Sequence, residues 1–276
     1  MTLWHQLAGL LPFEWAQFEF MRQALLAVLL VAPVFALLGC MVVNNQMAFF
    51  SEALGHAALT GIALGALAGL ADPLWAMILF AAALTLALAG LRRRSAASMD
   101  TLIGLVMACA VALGVALLSR GGGFNKYSRY LVGDILTITP PEIGRMALMA
   151  GAVAVVWLVF FNRIFLVSLS PSLARSRGIR AGRIELLFAL VVALVVTISI
   201  QWVGLLVINA MLLLPAAAAR NLARHTAGYV GWAVVIGLAA GLAGLVTSYY
   251  ADTATGATIV LYAAAVYGIT LIPRRG

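Results

Sequence analysis

Nine apolar runs separated by short polar breaks leave this chain few ways to fold. They lie at about 22–43, 46–70, 73–91, 99–119, 142–161, 184–200, 203–219, 228–249 and 257–272. A helix rises about 1.5 Å per residue, so runs of roughly 20 apolar residues cross a hydrocarbon core about 30 Å thick. Backbone N–H and C=O groups find no water there, and a helix satisfies them internally. The expected fold class is therefore all-α, a polytopic integral membrane helical bundle with about 8 to 9 transmembrane helices. Composition agrees, because 64% hydrophobic and 9% charged residues supply too little polar surface to coat a soluble globule.

The breaks between the runs set the domain plan. Residues 1–21, with Trp4, Leu7, Leu11, Phe13, Trp15 and Phe18 among polar neighbours, read as an amino-terminal interfacial segment without a cleavable signal. Residues 22–276 form one transmembrane domain. Pro33 is expected to kink the first run or to sit where a neighbour satisfies the freed carbonyl. Asn44 with Asn45, and Ala71-Asp72-Pro73, read as tight turns, and SRYLVGDIL as a short helix along the membrane.

The net charge of +8 would suggest nucleic acid in a soluble domain, but the basic residues collect in short loops. No basic surface interleaved with aromatics is present, so the expected partner is the lipid bilayer and no nucleic acid. Arg92 to Arg94, Arg163 to Arg183, Arg220 with Arg224, and Arg274 with Arg275 all fall on one side if every run crosses. The positive-inside rule makes that side the cytoplasm, with the amino terminus outside. Arg120, Lys126 and Arg129 fall outside and oppose this, but they are outnumbered. Cys40 and Cys109 lie in apolar runs without metal-knuckle spacing and read as small hydrophobes.

Within this plan one run stands out, QMAFFSEALGHAALTGIALGALAGL from Gln46 to Leu70. It carries Glu52 and His56 one turn apart on one helical face. An acid at the middle of a membrane helix costs on the order of 2.5 to 3.5 kcal/mol, and such residues face a bundle interior or a water-filled path. The alternative is bland: Glu52 reaching the interface and His56 satisfying a neighbouring carbonyl. Ala57, Gly61, Gly65 and Gly69 recur every four residues and form a smooth ridge for close helix packing.

A carboxylate and an imidazole without thiolates suit borderline or harder divalent ions such as zinc, manganese or iron. Two ligands are too few for a structural cage, and an ion in transit must leave as easily as it enters. Asp100 and Asn209 are further candidate ligands. Asp100 also complements a helix amino terminus, and an intramembrane asparagine such as Asn209 commonly bonds a neighbouring helix.

No phosphate-binding loop of the G-x-x-x-x-G-K-[ST] type occurs, and the only lysine is Lys126. Any ATP hydrolysis then belongs to a separate subunit. The loop SLSPSLARSRGIRAGR is suited to meet one. Pro171 opens a short helix, Leu173 and Ala174 offer an apolar contact, the arginines, Arg177 among them, keep it at the membrane surface, and Gly178 can end it. An ordinary basic loop is the other reading.

Six blocks in order carry a resemblance: MAFFSEALGHAALTGIALG, DTLIGLVMACAVALGVALLS, YLVGDILTITP, SPSLARSRGIRAGRIELLFALVVAL, VGLLVINAMLLLPAAAARNLAR and SYYADTATGATIVL. Together they resemble the integral-membrane permease subunits of the zinc/manganese/iron ABC importer family (ABC-3). The resemblance implies a non-catalytic, homodimeric permease in a bacterial inner membrane, working with a second copy of itself, cytoplasmic ATPase subunits and an extracytoplasmic metal-binding solute-binding protein. It implies no permanently bound cofactor, with Zn2+ the favoured cargo and Mn2+ or Fe2+ the others. Glu52 and His56 match the family's acid and histidine, and Ser170 to Arg183 its ATPase-contacting segment. The chain departs from the pattern at Glu52, where aspartate is common, at Asn44 and Asn45, where arginines are common, and at Ala254, where proline is. Two other functions stay open on residues alone, an intramembrane metalloenzyme and a proton-coupled secondary transporter.

Overall fold

The computed structural model describes residues 14–70, 72–120 and 133–272. The interfacial segment over residues 1–13, Ala71 of its expected turn, and Ser128 to Val132 of the expected surface helix lie outside them. Ten α-helices follow in order: α1 (Glu19–Asn44), α2 (Ala48–Leu67), α3 (Leu74–Arg94), α4 (Met99–Arg120), α5 (Pro140–Leu169), α6 (Pro171–Ser176), α7 (Ala181–Val203), α8 (Leu205–Leu222), α9 (Thr226–Ala251) and α10 (Thr255–Thr270). Two 3-10 turns, Glu14–Gln17 and Ile135–Thr137, are the remaining helical elements among the described residues.

Eight of the helices are long and apolar enough to cross a membrane. The ninth expected run forms α10, whose 16 residues span about 24 Å and fall short of that length. Local chemistry explains the boundaries. Thr139 gives its N–H to the Glu142 carboxylate at 2.8 Å, a cap that lets α5 start on two prolines. The Leu74 N–H donates to Asp72 at 2.9 Å and opens α3. Between α7 and α8 the chain breaks at Gly204, whose φ of 84° suits glycine. Pro33 stays inside a helix that continues to Asn44.

The chain divides into two compact units. One comprises Met1–Val43, Asp134–Trp157 and Trp202–Gly276, and the other Asn44–Gly133 and Leu158–Gln201. Helix α5 therefore gives its first part to the first unit and its second part to the other.

In the first unit α8, α9 and α10 pack on one another, and α1 meets α8 and α9 through small residues. A Cβ at Gly39 would collide with the Leu212 carbonyl, and one at Gly244 would lie 2.5 Å from the Ile259 Cα. The Tyr229 hydroxyl donates to the Cys40 carbonyl at 3.2 Å, tying α9 to α1. In the second unit α2 lies against α3 on one flank and α4 on the other. Without a hydrophobic drive between helices in lipid, such close backbone approach is what holds them.

Candidate functional site

Helix α2 buries most of its surface and leaves one strip open. Ser51, Ala53, Leu54, Gly55, Ala57 and Ala58 are buried, whereas Glu52 and His56 keep 46% of their side chains exposed. The His56 Nε2 stands 4.0 Å from the Glu52 Oε1, so the one-turn spacing does place both side chains together. Glu52 lies in the second turn of α2 and His56 near its middle, both on its open side. Beside them α4 presents Met107, Ala108, Val111, Ala112, Val115 and Ala116, which with His56 line an open apolar cleft.

Small side chains let α2 hold this position. A Cβ at Gly61 would lie 2.6 Å from the Met77 Cα, and one at Gly65 would lie 3.2 Å from the Pro73 Cα, so both press on α3. Ala57 is buried at 1% exposure. Gly69, expected as the fourth member of this ridge, does not pack at all. It lies beyond the end of α2 with φ of 70° and no atom within 4 Å of its Cβ position. The Leu70 N–H bonds the Gly65 carbonyl and the Gly69 N–H the Ala66 carbonyl, a helix stop that needs a left-handed residue. Every-fourth spacing cannot separate a packing glycine from a stop glycine at a helix end. On the opposite flank the Thr60 hydroxyl donates to the Ala110 carbonyl of α4. Thr60 escaped the sequence reading, although a hydroxyl inside an apolar run signals a bonding partner.

Of the two further ligand candidates, Asp100 does not gather with the pair. Asp100 is in the first turn of α4, roughly 10 Å along the axis from Met107, where it complements the helix amino terminus behind the capping Ser98 hydroxyl. Asn209 belongs to the first unit, and its Oδ1 is buried without a hydrogen bond. Among the described residues no three of His, Cys, Asp and Glu gather closely enough to hold a metal. The pair on α2 is thus an incomplete ligand set, two donors with an open side.

The basic loop forms a second site element. Helix α6 begins at Pro171, and the Ser170 hydroxyl accepts from the Leu173 N–H at 3.3 Å. It ends at Gly178, φ 74°, where the Ile179 N–H bonds the Ala174 carbonyl and the Gly178 N–H bonds the Arg175 carbonyl. Leu173 is 45% exposed, whereas Ala174 is fully buried with Val167 and Ala181. The expected apolar contact for a partner therefore narrows to Leu173, because Ala174 anchors α6 to the ends of α5 and α7. Arg177 is exposed. Nearby, Arg92 of α3 pairs with Glu185 of α7 at 3.0 Å, a link across the chain that local sequence does not reveal.

Residues 17–274 match the model of the ABC 3 transport family. The chain belongs to that family. It is 30% identical over 258 residues to the high-affinity zinc uptake system membrane protein ZnuB of Haemophilus influenzae, covering 93% of this chain and 98% of that one. It is 27% identical over 263 residues to the manganese transport system membrane protein MntC of Halalkalibacterium halodurans, covering 94% and 89%. The solved structure of PsaBC from Streptococcus pneumoniae in complex with Fab superposes with a TM-score of 0.81 at 26% identity, over 100% of this chain and 97% of that one. As an ABC 3 family member the chain is a multi-pass, membrane-spanning permease subunit, and ATP hydrolysis belongs to a partner. The importer expectation agrees with the family and with the metals named in both relatives. The metalloenzyme and secondary-transporter alternatives are not favoured.

Proposed function

We propose that this permease imports divalent transition-metal ions, zinc foremost, across a bacterial inner membrane, and that Glu52 and His56 form a transient metal site on the path. The observation that carries the reading is their position: an acid and an imidazole 4.0 Å apart, on the open side of an otherwise buried membrane-length helix. Facing lipid, both groups would be severely penalised. A second copy of the chain meeting this face about a two-fold axis removes that penalty. Such an interface is self-complementary, so it would bring two Glu–His pairs to the axis and raise the ligand number from two to four. Four nitrogen and oxygen donors suit Zn2+, and Mn2+ or Fe2+ accept the same chemistry. Cytoplasmic ATPase subunits then engage α6, and an extracytoplasmic solute-binding protein delivers the ion at the opposite side. The names of the relatives support zinc or manganese as cargo.

The test is uptake of radioactive zinc and manganese by proteoliposomes holding the complete transporter with its binding protein. Glu52→Gln removes the charge that balances a dication, and His56→Ala removes the imidazole. Each is expected to reduce uptake at least tenfold while ATPase association persists. Wild-type uptake in both variants would take the pair off the path.

A further inference from the structure

Where α3 ends and α7 begins, the second unit encloses a cavity of about 450 Å³ that metal transit leaves unused. Its walls include Met47, Leu88, Ala89 and Leu186, all apolar, and its rim carries Arg92, Arg93, Arg175 and Glu185. Glu185 already accepts from Arg92 at 3.0 Å. Neither Arg93 nor Arg175 pairs with an acid among the described residues. The same two arginines continue into an adjoining concavity with Arg180 and Arg183, which are likewise unpaired among those residues. The Arg93 guanidinium lies over Gly182 in the first turn of α7, at 4.0 Å from the point a Cβ would occupy.

Five guanidinium groups line two joined hollows, and the four not paired with Glu185 describe a receptor for an anion. Guanidinium forks match phosphate oxygens in pairs. The apolar walls add a second requirement, because inorganic phosphate would use the rim alone and leave them empty. Both α3 and α7 are of membrane-crossing length, so the rim stands where such helices leave the hydrocarbon. We propose that this cavity binds an acidic phospholipid, its phosphate held by Arg93 and Arg175 and the start of its acyl chains lying against Met47, Ala89 and Leu186. One phosphate bridging these two arginines ties α6 to the end of α3. The inference rests on the membrane-spanning reading of the chain and is independent of the cargo.

Native mass spectrometry of the full-length chain with its ATPase partner tests this. The probes are phosphatidylglycerol, phosphatidylcholine of the same acyl chains, and inorganic phosphate. Retention of phosphatidylglycerol is expected to exceed that of phosphatidylcholine at least tenfold, and to fall about fivefold for each of Arg93→Gln and Arg175→Gln. Arg93→Lys and Arg175→Lys should keep most of it. Arg220→Gln with Arg224→Gln, at a basic end of the first unit, should leave it unchanged. Equal retention of the two lipids, or an equal loss on changing Arg220 and Arg224, would reduce the effect to general surface charge and overturn the proposal. Phosphate retained as tightly as phosphatidylglycerol overturns the lipid assignment. Unchanged lipid binding with loss of the ATPase from the Arg93 and Arg175 variants assigns the patch to that partner instead.

Discussion

Gly61 of α2 presses on the backbone of Met77 in α3, leaving no room for a side chain at position 61. A Cβ there would stand 2.6 Å from the Met77 Cα, a separation that only movement of the whole helix relieves. Gly61→Val is therefore expected to destabilise the second unit by about 1 to 3 kcal/mol through overpacking. Thermal unfolding of the detergent-purified permease should show a clear drop for this variant. Gly69→Ala should also lower stability, by about 1 kcal/mol and for a different reason, the left-handed backbone of the helix stop. Full tolerance of valine at 61 and of alanine at 69 would contradict the packing role of the first and the helix-stop role of the second.

The choice of acid at position 52 leads to a prediction about selectivity. Glutamate and aspartate carry the same charge, but aspartate withdraws the oxygens by one methylene. Glu52→Asp should keep uptake within about threefold of wild type while shifting the ratio of zinc to manganese uptake, since the ligand oxygens set the coordination geometry each ion accepts. Competition between the two isotopes in one proteoliposome preparation measures that ratio directly. Loss of all uptake in Glu52→Asp would show that reach, and not charge, governs the site.

Leu173 and Ala174 are adjacent in sequence and opposite in environment. Leu173→Asp should abolish co-purification of the ATPase, or uncouple its turnover from uptake, with the thermal midpoint unchanged. Ala174→Asp should instead lower the midpoint, because it buries a carboxylate among Val167 and Ala181. Both readouts on both variants separate docking from folding, and identical behaviour of the pair would refute the division.

Membrane sidedness is open to a labelling experiment. With basic loops in the cytoplasm, single cysteines at Ser95 and Ser172 should resist impermeant thiol reagents in intact cells, and one at Thr253 should react. The background must lack Cys40 and Cys109. Rapid labelling of Ser172 from outside would invert the orientation.

Features governed by local chemistry were legible in the sequence. The helix spans follow from apolar run length, and the limits of α6 from Pro171 and Gly178, whose backbone preferences act within a few residues, whereas the Ser170 cap came only with the structure. The spacing of Glu52 and His56 also carried through, because the pitch of one helix is enough to join them. What escaped was tertiary. The fate of Ala174 depends on Val167 and Ala181 converging on it, and the salt bridge from Arg92 to Glu185 joins helices far apart in the chain. Gly61 and Gly69 look alike by spacing, and only the helix end between them separates a packing role from a turn. The open side of α2 was hidden for a related reason, since exposure depends on which neighbours a helix acquires and not on its own periodicity.

The double anchorage of α2 restricts how this transporter can work. With Gly61 seated on α3 and Thr60 bonded to α4, twisting α2 about its long axis would drive backbone into backbone on one flank and strip a buried hydroxyl on the other. Glu52 and His56 therefore cannot swivel between two faces like the vane of a turnstile. On the reading that they hold an ion in transit, its release requires α2, α3 and α4 to shift together as one plank.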